Sequence, residues 1–353
     1  MVYFINIFLI FAWAVILLKN NPNQTKRKIY CGIVALQWIL ISGLRHISVG
    51  GADNYSFYAR FEMTKTTSWK TILQENWDYI FNGLDAKDPG YTLVTKVFQI
   101  FSNDFQVFLI FIAVVFTSLM AWWIYKYSSM PEISFFIYSV IFYAFYAVTG
   151  YRQTLATALI VFLGYDFAKD RKWVKFAIVS FIAFMLHKSS VVFIVYYFIA
   201  NINLTVPYVS IMSIAILAVA VLGIRLYGPI ALALGFEEAA IMYDGGGAET
   251  YATALLLVCI ASFVVYPWVK KRRQDAKYLY NMMFLTTAST LLIYQQQGFM
   301  RIQQYYSLFI MIMIPELILS IEKKYRTLAY LGVVGVLLLY LIGIQPRYRF
   351  FFQ

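Results

Sequence analysis

Charge is scarce in this chain: Asp, Glu, Lys and Arg make up 13% of its 353 residues, against roughly 25% in an ordinary soluble domain. Hydrophobic residues reach 61% and aromatics 19%. That shortage excludes a soluble globular protein, and with it the nucleic-acid binder that a net charge of +12 would otherwise imply. Cysteine is nearly absent. Cys31 and Cys259 both fall inside apolar runs, where a small buried hydrophobe is the expected role, so no disulfide framework is drawn. The first apolar run has no basic leader and no small-residue cleavage site, and it reads as a retained span. No internal repeat is visible. The segment Gly51-Ala52-Asp53 has no second acid at ligand spacing, so neither a metal nor another cofactor is expected.

Long apolar runs are what the chain does have. A stretch of roughly 17 to 25 apolar residues spans a bilayer as a helix, because backbone groups in lipid must be paired within their own segment. Candidates lie at residues 2 to 18, 29 to 45, 105 to 125, 132 to 149, 152 to 168, 174 to 186, 189 to 200, 207 to 223, 250 to 269, 278 to 297, 300 to 320 and 327 to 344. The expected fold is an all-α, polytopic transmembrane bundle of about twelve segments, a single integral membrane domain over residues 1 to 353.

Basic residues orient it. Lys19 with Lys26-Arg27-Lys28, then Lys169 to Lys175, Lys270 to Lys277 and Lys323 to Arg326, form four clusters of the kind cytoplasmic loops carry. Alternating from an outer amino terminus puts 17 of the 29 Lys and Arg inside. Parity requires an even number of crossings between the second and third clusters, so the run from 174 to 200 is split at His187-Lys188-Ser189-Ser190 into a short broken hairpin with its tip outward. The alternative, one long tilted helix here and an extra crossing near Leu226 to Met242, would carry the insertion cost of Glu237 and Glu238. Residues 46 to 104 then form a long extracytoplasmic loop with amphipathic helices at the interface. Residues 225 to 250, containing GFEEAAIMYDGGGAE, form a second.

In this frame the polar residues at helix ends face outward. Arg45 closes the second span, Arg152 opens the fifth in GYRQTLATALIVF, His187 and Lys188 tip the hairpin, and Arg301 opens the eleventh in GFMRIQQYYSLF. A helix start presents free N–H groups and the positive end of a dipole, so an arginine there has the wrong sign for helix stability. Such starts read as anion sites. Gln153 beside Arg152, Gln303 and Gln304 near Arg301 and His46 beside Arg45 add hydrogen-bonding groups to each guanidinium.

These stretches carry a resemblance. GLRHISVGGADNYSFY, GYRQTLATALIVFLGYDFAKDRKW, AFMLHKSSVVFI and MRIQQYYSLFIMIMIPELI together resemble the EpsG family of bacterial exopolysaccharide proteins, related to Wzy-type polymerases, over nearly the whole chain. The matching positions are Arg45 with Gly51, Asp53 and Tyr55, then Arg152 and Gln153, His187 and Ser189, and Arg301 with Tyr305 and Tyr306. The resemblance implies a GT-C-like membrane glycosyltransferase in the bacterial cytoplasmic membrane, active at its outer face. Its implied reaction joins undecaprenyl-pyrophosphate-linked oligosaccharide repeat units during exopolysaccharide, capsule or O-antigen synthesis. Lipid-linked glycans and membrane lipid are the implied partners, together with a flippase and a chain-length regulator; nucleic acid is not among them. Arg152 and Arg301, then Arg45, would stabilise the pyrophosphate leaving group, with Gln153, Tyr55 and Tyr305 among the substrate contacts. His187 and Asp53 are the candidate bases. A flippase of the same lipid-linked units and a ligase using nearly the same chemistry are the alternatives.

Overall fold

The protein's structure is a computed structural model that describes residues 1–19, 22–233, 248–295 and 297–353. It is all-helical, 81% helix with no strand among the described residues. The helices α1 (Val2–Leu17) and α2 (Gln24–Gly43) come first. Three short helices follow, α3 (Ala52–Thr66), α4 (Trp69–Phe81) and α5 (Pro89–Phe98), and then α6 (Phe105–Tyr127). Side-chain caps start several of them: Asn23 accepts from the Lys26 N–H at 2.8 Å, Ser68 from Thr71 at 3.1 Å and Asp104 from Gln106 at 2.6 Å. Each such cap contributes about 1 kcal/mol.

Next, α7 (Pro131–Ile137) runs into two π-helical segments, Tyr138–Phe142 and Ala144–Thr149. After them come α8 (Tyr151–Ile160), α9 (Gly164–Lys169), α10 (Trp173–Leu186), a 3₁₀ segment Lys188–Phe193, α11 (Ile194–Ile199) and α12 (Val206–Ala233). The last third holds α13 (Glu249–Val264), α14 (Tyr266–Arg272), α15 (Ala276–Gln295), α16 (Met300–Ser307), α17 (Ile310–Ser320) and α18 (Arg326–Ile344). Part of the loop expected at 225 to 250 is therefore helical, and residues 234 to 247 lie outside the described residues.

Among the described residues three helices are long and apolar enough to cross a membrane, Phe105–Tyr127, Val206–Gly223 and Lys323–Ile344. Counting the bent pairs α13 with α14 (65°) and α16 with α17 (63°) as one span each gives up to five. About twelve segments were expected; of the other apolar runs, α2 and α15 form unbroken 20-residue helices that are less apolar or more charged, and the rest form shorter helices or are broken, as at the π segments and between α8 and α9. The run from 174 to 200 breaks at His187, whose backbone is extended (φ −162°, ψ 113°). Its two legs fold back on each other, since Phe176 near the start of α10 stacks on Tyr197 near the end of α11 at 4.8 Å.

Contacts sort to the two ends of the bundle, separated by the length of α6, about 33 Å. At its carboxyl end the Tyr125 carbonyl accepts from Arg27, the Tyr127 carbonyl from Arg273 at 2.9 Å, and the Tyr127 hydroxyl from Lys169 at 3.2 Å. Glu316, 1% exposed, pairs there with Arg272 at 2.8 Å and Arg273 at 3.1 Å. Arg272 also donates to Ser320, just ahead of Lys323 to Arg326. All four basic clusters thus meet the same end. At the other end lie α3 to α5, the His187 break, the starts of α8 and α16, and the carboxyl-terminal tail, where Phe350 bridges Arg45.

Candidate functional site

The Lys87-Asp88-Pro89-Gly90 stretch turns the chain into α5. Pro89 supplies the first helical residue, and Asp88 before it adopts the left-handed conformation (φ 53°, ψ 63°). In that conformation the Asp88 side chain does not cap its own helix. It points across to two distant segments. One Asp88 carboxylate oxygen, Oδ2, accepts from Arg152 Nη1 at 2.6 Å and meets His187 Nδ1 at 3.0 Å. The other, Oδ1, accepts the backbone N–H of Lys188 at 3.0 Å.

Close backbone packing makes these reaches possible. Gly90 sits so tightly against the last turn of α10 that a Cβ there would lie 2.6 Å from Met185 Cβ and 2.7 Å from the Met185 carbonyl oxygen. Asp88 and His187 each stand two residues from that contact. The Lys188 N–H is free to reach the carboxylate because α10 ends at Leu186, leaving helix-start donors at the 3₁₀ segment. Arg152 is set by the π-helical run before it. Gly150 donates to the Phe145 carbonyl at 2.8 Å and lies against the Phe145 ring, where a Cβ would clash at 2.5 Å. The Arg152 guanidinium then lies over the Phe57 ring of α3, 5.6 Å from its centroid. Such π-turns recur at functional sites.

Asp88 is 4% exposed. Burial pushes its carboxyl up, but the hydrogen bond and charge of His187, the Arg152 guanidinium and the Lys188 N–H outweigh that, and the net displacement is below the ordinary carboxylate value. It is therefore ionised at neutral pH. An ionised carboxylate only accepts hydrogen bonds, so His187 Nδ1 is the donor, and in the neutral ring that leaves the lone pair on Nε2. That tautomer is the one a general base needs.

Positive charge surrounds this pair. Lys188 Nζ binds Asp85 at 2.7 Å. Arg60 donates to the Lys87 carbonyl at 2.8 Å, and both Arg60 and Arg301 act electrostatically on Arg152. Arg301 is exposed and its guanidinium has no partner among the described residues. Gln153 donates to the Arg301 carbonyl at 2.6 Å, tying the start of α8 to that of α16. Tyr305, fully buried, meets Ser189 at 3.2 Å.

The structure thus brings Arg152, Gln153, His187, Arg301 and Tyr305 to one place. Arg45, Asp53 and Tyr55 stand apart from the pair. Arg45 is 2% exposed, donates to the Ser42 and Val148 carbonyls, and lies 5.1 Å from the Tyr151 ring centroid. It closes α2 and satisfies a carbonyl of the π-helical segment. Asp53 is exposed, with no hydrogen bond or ion pair among the described residues, and Tyr55 is exposed on the same helix. Asp88, Asp85 and Arg60 are absent from the sequence-based set. Asp-Pro-Gly has the composition of a turn, and nothing local marks this aspartate as the partner of residues 64 and 99 positions away. Among the described residues no three His, Cys, Asp or Glu side chains come together as a metal site.

The model of the EpsG family matches residues 28–345, which include every member of this cluster. No curated protein and no solved structure matches the chain. The chain belongs to the EpsG family and is a membrane protein of polysaccharide biosynthesis.

Proposed function

We propose that this EpsG-family chain is a glycosyltransferase that polymerises lipid-linked oligosaccharide repeat units at the outer face of the bacterial cytoplasmic membrane, with an undecaprenyl-pyrophosphate-linked glycan as donor. The observation that carries the reading is the Asp88–His187 contact set beside Arg152 and Arg301. A base held in the right tautomer stands next to a guanidinium pair suited to phosphate oxygens. In the reaction, the acceptor hydroxyl gives its proton to His187 Nε2 as its oxygen bonds to the anomeric carbon. The bond from that carbon to the pyrophosphate oxygen breaks, and the electron pair leaves with the pyrophosphate. Asp88 stabilises the imidazolium that forms, as in other carboxylate–histidine pairs. Arg301 and Arg152 face the developing negative charge.

The topology belongs to the same reading. We take the end bearing the basic clusters as cytoplasmic, so the Asp88 cluster and residues 46 to 104 face outward. Twelve crossings in a GT-C-like arrangement follow, with the less apolar, shorter and broken helices completing what the three long apolar ones begin. Exposed Trp69, Leu73, Trp77 and Phe81 form a stripe at four-residue spacing along α4, suited to lying in the headgroup region. A flippase delivering the donor and a chain-length regulator are the proposed protein partners.

Purified protein given a lipid-linked repeat unit should produce a ladder of longer lipid-linked products. His187→Ala should lower the turnover rate by roughly 10²- to 10⁴-fold while leaving donor affinity nearly unchanged. Arg152→Lys should also impair growth, because an ammonium keeps the charge but loses the two-pronged contact. A full ladder from both variants at wild-type rates would refute the assignment. Transfer to a different acceptor without chain growth would make the protein a ligase.

A further inference from the structure

Helix α3 has two working faces. Asn54, Phe57 and Phe61 point inward, with Phe57 beneath Arg152. Tyr55, Tyr58 and Glu62, at the i, i+3 and i+7 positions of the next face, line a separate open cleft of about 790 Å³. Asn103 and Asp104 ahead of α6, Phe351 of the carboxyl-terminal tail, and His46 also contribute to its wall. That tail is locked in place: the Phe351 N–H donates to the Leu44 carbonyl at 2.9 Å, His46 to the Arg349 carbonyl at 2.8 Å, and the Tyr348 hydroxyl to the Ile41 carbonyl at 2.8 Å. The aromatic walls are open, Tyr55 being 51% and Tyr58 41% exposed.

The lining identifies the ligand chemistry. Aromatic faces beside carboxylate and amide groups suit a ring with an apolar C–H face and hydroxyl edges, which is a sugar. Among the described residues the cleft has no lysine or arginine, and His46, its one basic residue, is engaged with Ser48 at 2.8 Å. Glu62, paired with Lys65 at 2.7 Å, and Asp104, which accepts from the Gln106 N–H, leave the lining without a free cation for a phosphate and would be costly to bury under an acyl chain. The Arg152 site, in contrast, is rich in guanidinium groups. The two sites are connected: Tyr58 packs on Phe105 at 5.3 Å, Phe105 on Tyr151 at 6.4 Å, and Tyr151 precedes Arg152.

We propose that this cleft is a saccharide subsite that holds phosphate-free sugar rings of the acceptor glycan while the pyrophosphate of the donor occupies the arginine site. The assignment rests on the glycan-polymerase reading for its ligand, and on the lining for its chemistry. The probe is the soluble repeat-unit oligosaccharide released by mild acid from the polysaccharide of the same cells. Its binding to the detergent-purified full chain is measured by saturation-transfer NMR.

Wild-type protein should bind it, and Tyr55→Ala and Tyr58→Ala should each weaken binding by roughly five- to tenfold. Tyr55→Phe and Tyr58→Phe keep the rings and should bind nearly as well as wild type, which separates lost stacking from misfolding. No binding to wild type, equal binding to the alanine variants, or displacement by phosphatidylglycerol micelles would each overturn the subsite. A ladder of polymer alongside any of those results would leave the polymerase reading intact. Tyrosine-dependent oligosaccharide binding without a ladder would support the subsite while removing the polymerase reading.

Discussion

Gly90→Ala places one methyl group where the packing has no room for it. The added Cβ would stand 2.6 Å from Met185 Cβ, 2.7 Å from the Met185 carbonyl oxygen and 2.8 Å from its carbonyl carbon. Two of those atoms are backbone, so no rotamer change relieves the clash. Ordinary contact begins near 3.4 Å, so the start of α5 and the end of α10 must separate by about 0.8 Å. The His187–Asp88 and Lys188–Asp88 hydrogen bonds, both 3.0 Å, would stretch toward ~3.8 Å, beyond hydrogen-bonding range. Hydrogen bonds to a charged group contribute about 1.5–3 kcal/mol each, so the variant should melt measurably earlier. Since a displacement of about 1 Å can cost roughly 10²-fold in rate, polymer growth should fall by about that factor at equal membrane expression. Gly32→Ala is the control, because Gly32 is exposed on α2 with nothing within 4 Å of its added Cβ. Its activity should match wild type. A Gly90→Ala protein with wild-type rate and melting temperature would refute both the rigidity of this contact and the dependence of the reaction on it.

Arg152→Ala and Arg301→Ala should separate by stability. The first strands the buried Asp88 and should cost about 2 kcal/mol, whereas the second removes an exposed guanidinium and should leave the melting temperature unchanged, although both should reduce polymer growth; equal melting losses would contradict this pairing. For Asp88→Asn the sign follows from the lowered carboxyl: the stabilisation is fully present above the unfolded value near 3.9 and is lost as pH falls through the still lower folded value. The melting-temperature gap to wild type should therefore persist from pH 7 to about 4 and close only below that, and closure between pH 7 and 5 would contradict it. Arg45→Leu should destabilise the protein by about 2 kcal/mol while leaving the donor affinity of the folded fraction unchanged; weakened donor binding would return Arg45 to the substrate site. Single cysteines at Lys70 and Gln274, both exposed, in a background lacking the buried Cys31 and Cys259, test sidedness. An impermeant thiol reagent should label position 70 and spare 274 on intact cells, and the reverse pattern would invert the topology.

Composition alone led to the helical membrane class, because a shortage of charge leaves no other way to solvate so much apolar surface. The break at His187 was legible for a different reason. Charge parity demanded an even number of crossings, and His-Lys-Ser-Ser is the most polar point in an otherwise apolar run. The number of unbroken spans was not legible. Hydropathy windows count apolar residues and are blind to a 63° bend before Ile310 or to the π-helical turns that end at Thr149.

Arg45 shows why polarity at a helix end does not fix direction. Its sequence context is that of an outward arginine, yet the carbonyls left open by the end of α2 and by the Ala144–Thr149 segment draw the guanidinium inward, where the Tyr151 ring covers it. A cation at the carboxyl end of a helix is favourable in its own right. Arg152 has the opposite surroundings. It opens a helix, where free N–H groups repel it, and this position is tolerable because Asp88 supplies the missing negative charge from another segment. The anion that the sequence position demanded is thus internal in the resting protein. A pyrophosphate arriving at Arg301 need not displace Asp88, and in the proposed mechanism the carboxylate stays with His187 to hold the base in its tautomer while Arg301, unpaired among the described residues, meets the substrate.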